Sequence, residues 1–510
     1  MAVIPSEALI FESSVPGKIG MDLPALDVPA AKDTRPTHLK RQSFGVMPEV
    51  SEVDVVRHFT RLSRWNFGVD DGMYPLGSCT MKHNPRLNEK AAGLPGFTES
   101  HPLAPAKHVQ GNLELMWTLQ EWLKDITGLA AVTLHPAAGA HGELTGVMLI
   151  RAHHISKGAK RSIILIPDSA HGTNPATTTM AGYACVEVPS QADGTISFDD
   201  VTDASTGKAK KGLLSLIREH GREIAGIMIT NPNTVGIFEY RIAEIAKLLH
   251  DVGALIYMDG ANMNALMGVA RPVDFGVDAM HLNLHKTFGT PHGGGGPGSG
   301  PVACTAALEP FLPRPVVVKT ANGFDLDWNR PQSIGKMHSY FGNFAMEVRA
   351  MAFCLSHGAD GLRDATLRAI VNANYVRKRL EGTYHLQYNT ATLHEAVFDD
   401  VHQSEYGVTT LDIAKGLIDR GFHPPTIYFP LVIHGAMMIE PTESESKAEL
   451  DAFVEAMLDI AKEAKANPES IRQSPVKAPV RRLDETAAAR KPVLRWVAPP
   501  ATAVFSALPV

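Results

Sequence analysis

Cysteine is scarce. Four residues in 510, Cys79, Cys185, Cys304 and Cys354, lie far apart with no C-x-x-C pair. That excludes a disulfide framework and a cysteine-built structural zinc site, and it suits a reducing compartment. Excess positive charge is missing too. With 48 Lys and Arg against 54 Asp and Glu, the formal charge is −6, so no basic field gathers nucleic acid or anionic lipid. No uninterrupted apolar run is long enough to span a membrane. The first residues, MAVIPSEALIFESSVPG, are broken by Pro5, Ser6 and Glu7, unlike a secretory signal. The expected location is the cytoplasm.

What is present is ordinary globular material: 44% hydrophobic and 20% charged residues, with 43 Gly and 35 Pro for turns. The length exceeds what one core organises, so two or three domains are expected. Residues 1–63 alternate proline, charge and short apolar groups, as in an arm lying across another surface. Leu113, Met116, Leu119, Leu123 and Ile126 predict a helix stopped by Gly128. Short apolar runs at 131–134, 162–166, 184–188, 224–229, 254–258 and 279–284 predict strands. Several are separated by helical stretches, the clearest being Ile242, Ile245, Ala246 and Leu249. This alternation predicts an α/β fold with a mainly parallel central sheet over 64–330, whose ligands collect beyond the carboxyl ends of the strands. Residues 331–467 predict a smaller α/β domain. It has helices at 365–380 and 411–420, strands near 396–398 and 437–439, and a last helix with a capping box from Ser446 to Glu449. Residues 468–510 form a tail rich in Pro, Ala and Arg. No internal repeat is visible.

The strongest chemical signal is NLHKTFGTPHGGGGPGSG, 283–300. Lys286 follows a buried strand directly. Desolvation of an ammonium there favours the neutral amine that forms a Schiff base, and pyridoxal phosphate (PLP) is the obvious carbonyl partner. The bland alternative is a lysine that snorkels to solvent. Asp259 ends the preceding strand and should share that sheet edge, where a carboxylate holds a pyridinium nitrogen protonated; DGAN is equally good turn chemistry. HPAAGAHGE, 135–143, offers small residues at a helix N-terminus suited to a phosphate. PDSAHGTNPA places His171 where an imidazole stacks on a flat heterocycle, although lone histidines are more often structural. The glycine run 293–296 either admits a bulky arm or makes a tight turn.

DGAN, NLHKTF and PHGGGGPG, preceded by AGAHGE, DSAHGTNPA, ITNPNTVGIFE and PLGSCTMKHNP and followed by EPTESES, closely resemble the P-protein of the glycine cleavage system. That family is the PLP-dependent glycine decarboxylase, formally glycine dehydrogenase (aminomethyl-transferring). The length resembles subunit 2 of the two-subunit bacterial form. The resemblance implies fold type I of the PLP-dependent transferases, the class of the aspartate aminotransferases, and glycine decarboxylation with transfer of the aminomethyl group to the lipoyl arm of H-protein. Implied partners are subunit 1, H-protein and glycine, with T-protein and dihydrolipoamide dehydrogenase in the same pathway. It makes Lys286 the Schiff-base lysine, Asp259 the partner of the pyridine nitrogen and His171 the stacked ring. Gly139 and Ala140 would hold the phosphate. Thr230 and Asn233 are candidates for the phenolic oxygen or the substrate carboxylate, and Ala261 and His285 for further cofactor contact. Cys79, Thr80 and Lys82 are expected near the substrate entrance, and His292 beside the phosphate or its loop.

Competing readings share some of these residues. An aminotransferase or a cysteine desulfurase uses the same lysine and carboxylate on the same fold. A metal-dependent hydrolase could draw on His281, His285, His292 and Asp259. A scaffold subunit without cofactor is the third.

Overall fold

The computed structural model describes residues 7–42, 47–202 and 207–497. The outermost parts of the expected arm and tail, 1–6 and 498–510, lie outside the described residues. The chain divides into two units, 67–472 and a second made of 1–66 with 473–510.

In the second unit, residues 7–42 hold little regular structure, whereas residues 52–63 form a helix. Helix α1 (Glu52–Ser63) starts at a full capping box, in which Ser51 and Asp54 bond each other's backbone N–H. Phe11 stacks on Trp496 of the tail at 4.9 Å.

The unit 67–472 is built on a seven-stranded sheet. Helix α2 (Gln110–Thr127) ends at Gly128, whose φ of 73° is the left-handed stop that glycine takes at least cost. The strands are β1 (Ala131–Thr133), β2 (Ile163–Pro167), β3 (Ala184–Val188), β4 (Ile224–Thr230), β5 (Leu255–Gly260), β6 (Ala279–Leu282) and β7 (Val302–Cys304). Their order is β1-β7-β6-β5-β4-β2-β3. Neighbours from β6 through β3 run parallel, while β7 is antiparallel to both β6 and β1. Strand β7 was not anticipated: three residues behind a long glycine-rich stretch carry too little periodicity. The run at 279–284 also stops early, because Leu284 opens the one-turn helix α6 (Leu284–Thr287).

Burial follows the pleat. Ile163 and Leu165 join one apolar cluster with Leu119, Leu123, Ile245 and Leu249, and Ile164 and Ile166 join another with Val147, Leu149 and Ile150. Helices thus cover both faces: α2 and α5 (Ile242–Asp251) on one, α3 (Gly139–Ser156) on the other. A strand buried on both faces reads as a near-continuous apolar run, as β2 does throughout and β4 does up to Thr230.

Helix α7 (Phe344–Leu380) links this core to a second one. It bends at Gly358, where φ is 62°. Ala350 and Phe353 before the bend pack into the sheet's core, and Val376 and Leu380 after it pack with Phe398, Ile413, Leu417, Ile439 and Phe453. This second core holds a three-stranded antiparallel sheet, helix α8 (Thr410–Asp419) and helix α9 (Lys447–Ala466). Of the capping box expected at Ser446, one bond forms: the Glu449 N–H donates to Ser446 Oγ.

Candidate functional site

Three parallel strands bring three side chains into one row. Register pairs Thr230 of β4 with Asp259 of β5, and Asp259 with His281 of β6. All three line a cavity of about 190 Å³ at the carboxyl edge of the sheet. Asp259 forms the turn bond weighed for it and also lines the cavity. Its Oδ1 accepts from the Ala261 N–H at 2.9 Å, a turn bond, while the side chain faces the cavity. His281 Nε2 lies 3.4 Å from the same oxygen and Tyr257 Oη lies 2.7 Å from His281 Nδ1. Burial holds the His281 imidazole neutral by lowering its pKa. With the ring neutral, the tyrosine hydroxyl is assigned as donor to Nδ1, which leaves the Nε2–H beside Asp259. Tyr257 fixes the His281 ring, and the ring stands beside the carboxylate. Periodicity marked both only as strand residues, because their role depends on cross-strand register.

Lys286 sits on α6, just past the row. It is partly rather than fully buried, and its Nζ donates to the Ser78 carbonyl at 2.7 Å. That carbonyl belongs to a strained loop: Ser78 and Thr80 have φ of 63° and 52°, a region that costs a non-glycine residue roughly 1–3 kcal/mol. Two buried carboxylates hold it. Glu395 Oε2 accepts from the Ser78 N–H at 3.0 Å, and Glu440 accepts from the Thr80 N–H and hydroxyl at 3.0 and 2.6 Å. Burial, and Glu440 beside it, push the Glu395 carboxyl well above its ordinary pKa. Glu440→Ala should therefore lower stability by about 2–3 kcal/mol in denaturant unfolding, since it orphans buried donors. The same variant should also speed dissociation of PLP by freeing the loop beside Lys286. Unfolding and dissociation indistinguishable from the parent chain would contradict this role.

The third side of the cavity is the start of α3. Gly139 and Ala140 line it at the positive end of the helix. The packing requires glycine nearby: a Cβ on Gly139 would come 2.7 Å from Asn283 Oδ1, and one on Gly300 would come 2.1 Å from the Ala138 carbonyl oxygen. His171 completes the rim between β2 and helix α4 (Thr173–Met180), exposed, with Phe429 edge-on at 5.4 Å. Glu143, one turn into α3, also lines the cavity and was missed because AGAHGE reads as a backbone motif.

Of the remaining candidates, Ala261 and His285 line the cavity. Burial and the nearby His292 and Lys286 push His285 down to about 3, so it is neutral. Asn233 does not reach the cavity. Its Oδ1 accepts from the Val235 and Ile237 N–H groups and its Nδ2 donates to the Gly194 carbonyl, so turn geometry consumes it. Lys82 is also structural, donating to the Thr287 carbonyl and to Glu443. His285 and His292 pack ring against ring at 5.3 Å and share no ligand set with His281 and Asp259. Among the described residues the groups with metal-binding geometry are Glu143, Asp259 and His281, and His394, Glu395 and Glu440. Burial pushes the Cys79 thiol up to about 11, so it is inert at neutral pH. Cys79→Ser should retain most activity, and alkylation of Cys79 at neutral pH should be slow; rapid, inactivating alkylation would contradict this.

The cavity's chemistry suits PLP. Thr230 Oγ1, Asn262 Oδ1 and Asn283 Oδ1 line it as buried polar atoms without protein partners. With them stand an amine, a carboxylate, an imidazole and a helix N-terminus. The fold and this set define a fold type I, PLP-dependent enzyme of the α/β class.

Comparison with known proteins narrows the class. Residues 25–324 match the family model for the glycine cleavage system P-protein, and 365–480 match glycine dehydrogenase, C-terminal domain. A probable glycine dehydrogenase (decarboxylating) subunit 2 from Caldanaerobacter subterraneus is 52% identical, with 96% of this chain and 98% of that one covered. Among solved structures, an inhibitor-bound glycine decarboxylase (P-protein) aligns with a TM-score of 0.67 at 19% identity, over 83% of this chain and 93% of that one. A cysteine desulfurase from Escherichia coli shares the fold at a TM-score of 0.57 and 16% identity, over 77% and 95%. The chain belongs to the glycine cleavage system P-protein family.

Proposed function

We propose that this chain is the PLP-carrying subunit 2 of a two-subunit glycine decarboxylase. It releases CO2 from glycine and passes the remaining aminomethyl group to the lipoyl arm of H-protein, together with subunit 1. The convergence of Lys286, Asp259 and His171 on one cavity carries this reading. When bound, PLP supplies an aldehyde that captures an amine and a ring that accepts the electron pair left when CO2 departs. Lys286 is the amine that would anchor it covalently. Asp259, buried, fixed by the Ala261 N–H and flanked by His281, would keep a proton on the ring nitrogen. His171 would lie on the ring, while Gly139 and Ala140 hold the phosphate. Thr230 remains a candidate for the phenolic oxygen, its hydroxyl being free of protein partners.

The desulfurase alternative fits less well. Taking sulfur from a substrate requires a thiolate beside the cofactor, and Cys79, next to cavity-lining Ser78, is held as a thiol. We place the reaction in the cytoplasm; among the described residues no helix is long and apolar enough to cross a membrane. The test combines the full chain with subunit 1 and lipoylated H-protein and follows exchange of labelled CO2 into glycine. Exchange that requires this chain supports the reading. A PLP-loaded complex that exchanges nothing overturns it.

A further inference from the structure

We propose that His394, Glu395 and Glu440 bind a divalent transition-metal ion of the zinc(II) type, which braces the loop beside Lys286. The three side chains are 0%, 0% and 1% exposed, and their ligand atoms all lie within 4.8 Å of one another. Chain topology brings them together. Strands 396–398 and 437–439 pair antiparallel with Ala396 opposite Ile439, so Glu395 and Glu440 flank the same end of that sheet. Like charges set side by side and out of water are costly unless a cation joins them. Among the described residues neither carboxylate has a lysine or arginine in ion-pair contact, and Lys286 donates to the Ser78 carbonyl instead.

The polar atoms of the cluster point to a ligand. Both ring nitrogens of His394 and the Oε1 of Glu395 are buried without a protein partner. His394 Nε2 stands 3.6 Å from Glu395 Oε1. That is too long for a hydrogen bond, but it is close to the edge, about 3.4 Å, of a tetrahedron whose ligand bonds are about 2.1 Å. The other carboxylate lone pairs are used in a way that aims the free ones. Glu395 Oε2 accepts from the Ser78 N–H, while Glu440 accepts from the Thr80 N–H, the Thr80 hydroxyl and Asn264 Nδ2. Glu440 keeps one free lone pair of about four, and outer partners of this kind orient metal ligands. An imidazole with two carboxylates suits zinc(II) or manganese(II) better than magnesium(II) or calcium(II), which take oxygen ligands, and two carboxylates neutralise a divalent ion. Through the same bonds the ion would fix Ser78 and Thr80, in the loop whose carbonyl receives Lys286.

The test measures metal rather than turnover. The full chain, loaded with PLP, is stripped with a chelator, incubated with zinc(II), desalted and assayed for metal by mass spectrometry. The parent chain should keep about one zinc per chain, and magnesium(II) offered at the same concentration should wash out. Glu395→Gln, which still accepts from the Ser78 N–H but loses the anionic ligand, should keep at least about tenfold less zinc, and His394→Gln likewise. Glu143→Gln, at the other group with metal-binding geometry, should keep as much as the parent. The zinc K-edge absorption spectrum of the loaded parent should show nitrogen and oxygen neighbours at about 2.0–2.2 Å, one of them an imidazole, and no sulfur. That spectrum decides the matter even if the variants do not fold. A parent chain that retains no zinc, a Glu395→Gln chain that retains it, loss from Glu143→Gln instead, or sulfur beside the metal overturns the proposal. Any of these leaves the glycine exchange assay, and the function it tests, untouched.

Discussion

A Lys286→Ala chain will bind PLP only reversibly and will lose glycine-dependent CO2 exchange. The expected loss is on the order of 10⁶-fold, the scale for removing a covalent catalytic group. The size of the effect follows from the site's composition. Among the described residues Lys286 is the one amine that lines the cavity, and its neighbour Lys82 is committed to the Thr287 carbonyl and Glu443. No other described group stands ready to replace it. Size-exclusion chromatography after PLP loading, followed by a visible spectrum and the exchange assay, checks both parts. Retention of a stoichiometric visible band together with near-parental exchange would remove Lys286 from its role.

The second large effect is expected at Asp259. Asp259→Asn preserves the shape of the side chain and the turn bond from the Ala261 N–H, but removes the negative charge that stands beside His281. The variant should keep binding PLP and should exchange CO2 about 10²–10³ times more slowly, the scale on which a preorganised electrostatic partner acts. The cost should fall mainly on kcat, because the charge matters most when the electron pair moves into the ring. Near-parental kcat would show that the carboxylate only shapes the turn.

The sequence discloses these two residues and His171 for a physical reason. Each ends or follows a strand of strong apolar character, and a parallel α/β sheet gathers such positions at one edge. The sheet itself was legible from apolar runs such as 162–166 and 224–229, which overlap the observed strands 163–167 and 224–230. Short β7 was not, and neither was the helix over 52–63, whose apolar residues are interspersed with charges. The site's supporting groups were hidden for a different reason. His281 acts through register with Asp259, Glu143 through a hydroxyl about thirty positions away in the chain, and Glu395 and Glu440 through a loop more than three hundred positions distant. Such long-range partners leave no local period. Asn233 lies off the cavity because the backbone just after NPN satisfies its Oδ1 and the distant Gly194 carbonyl takes its Nδ2.

Borohydride reduction of the PLP-loaded full chain, followed by proteolysis and mass mapping, tests the central claim most directly. The account predicts a reduced PLP adduct on the peptide that contains Lys286, and none on that peptide without cofactor. An adduct on Lys82 or any other lysine, with Lys286 unmodified, would contradict it.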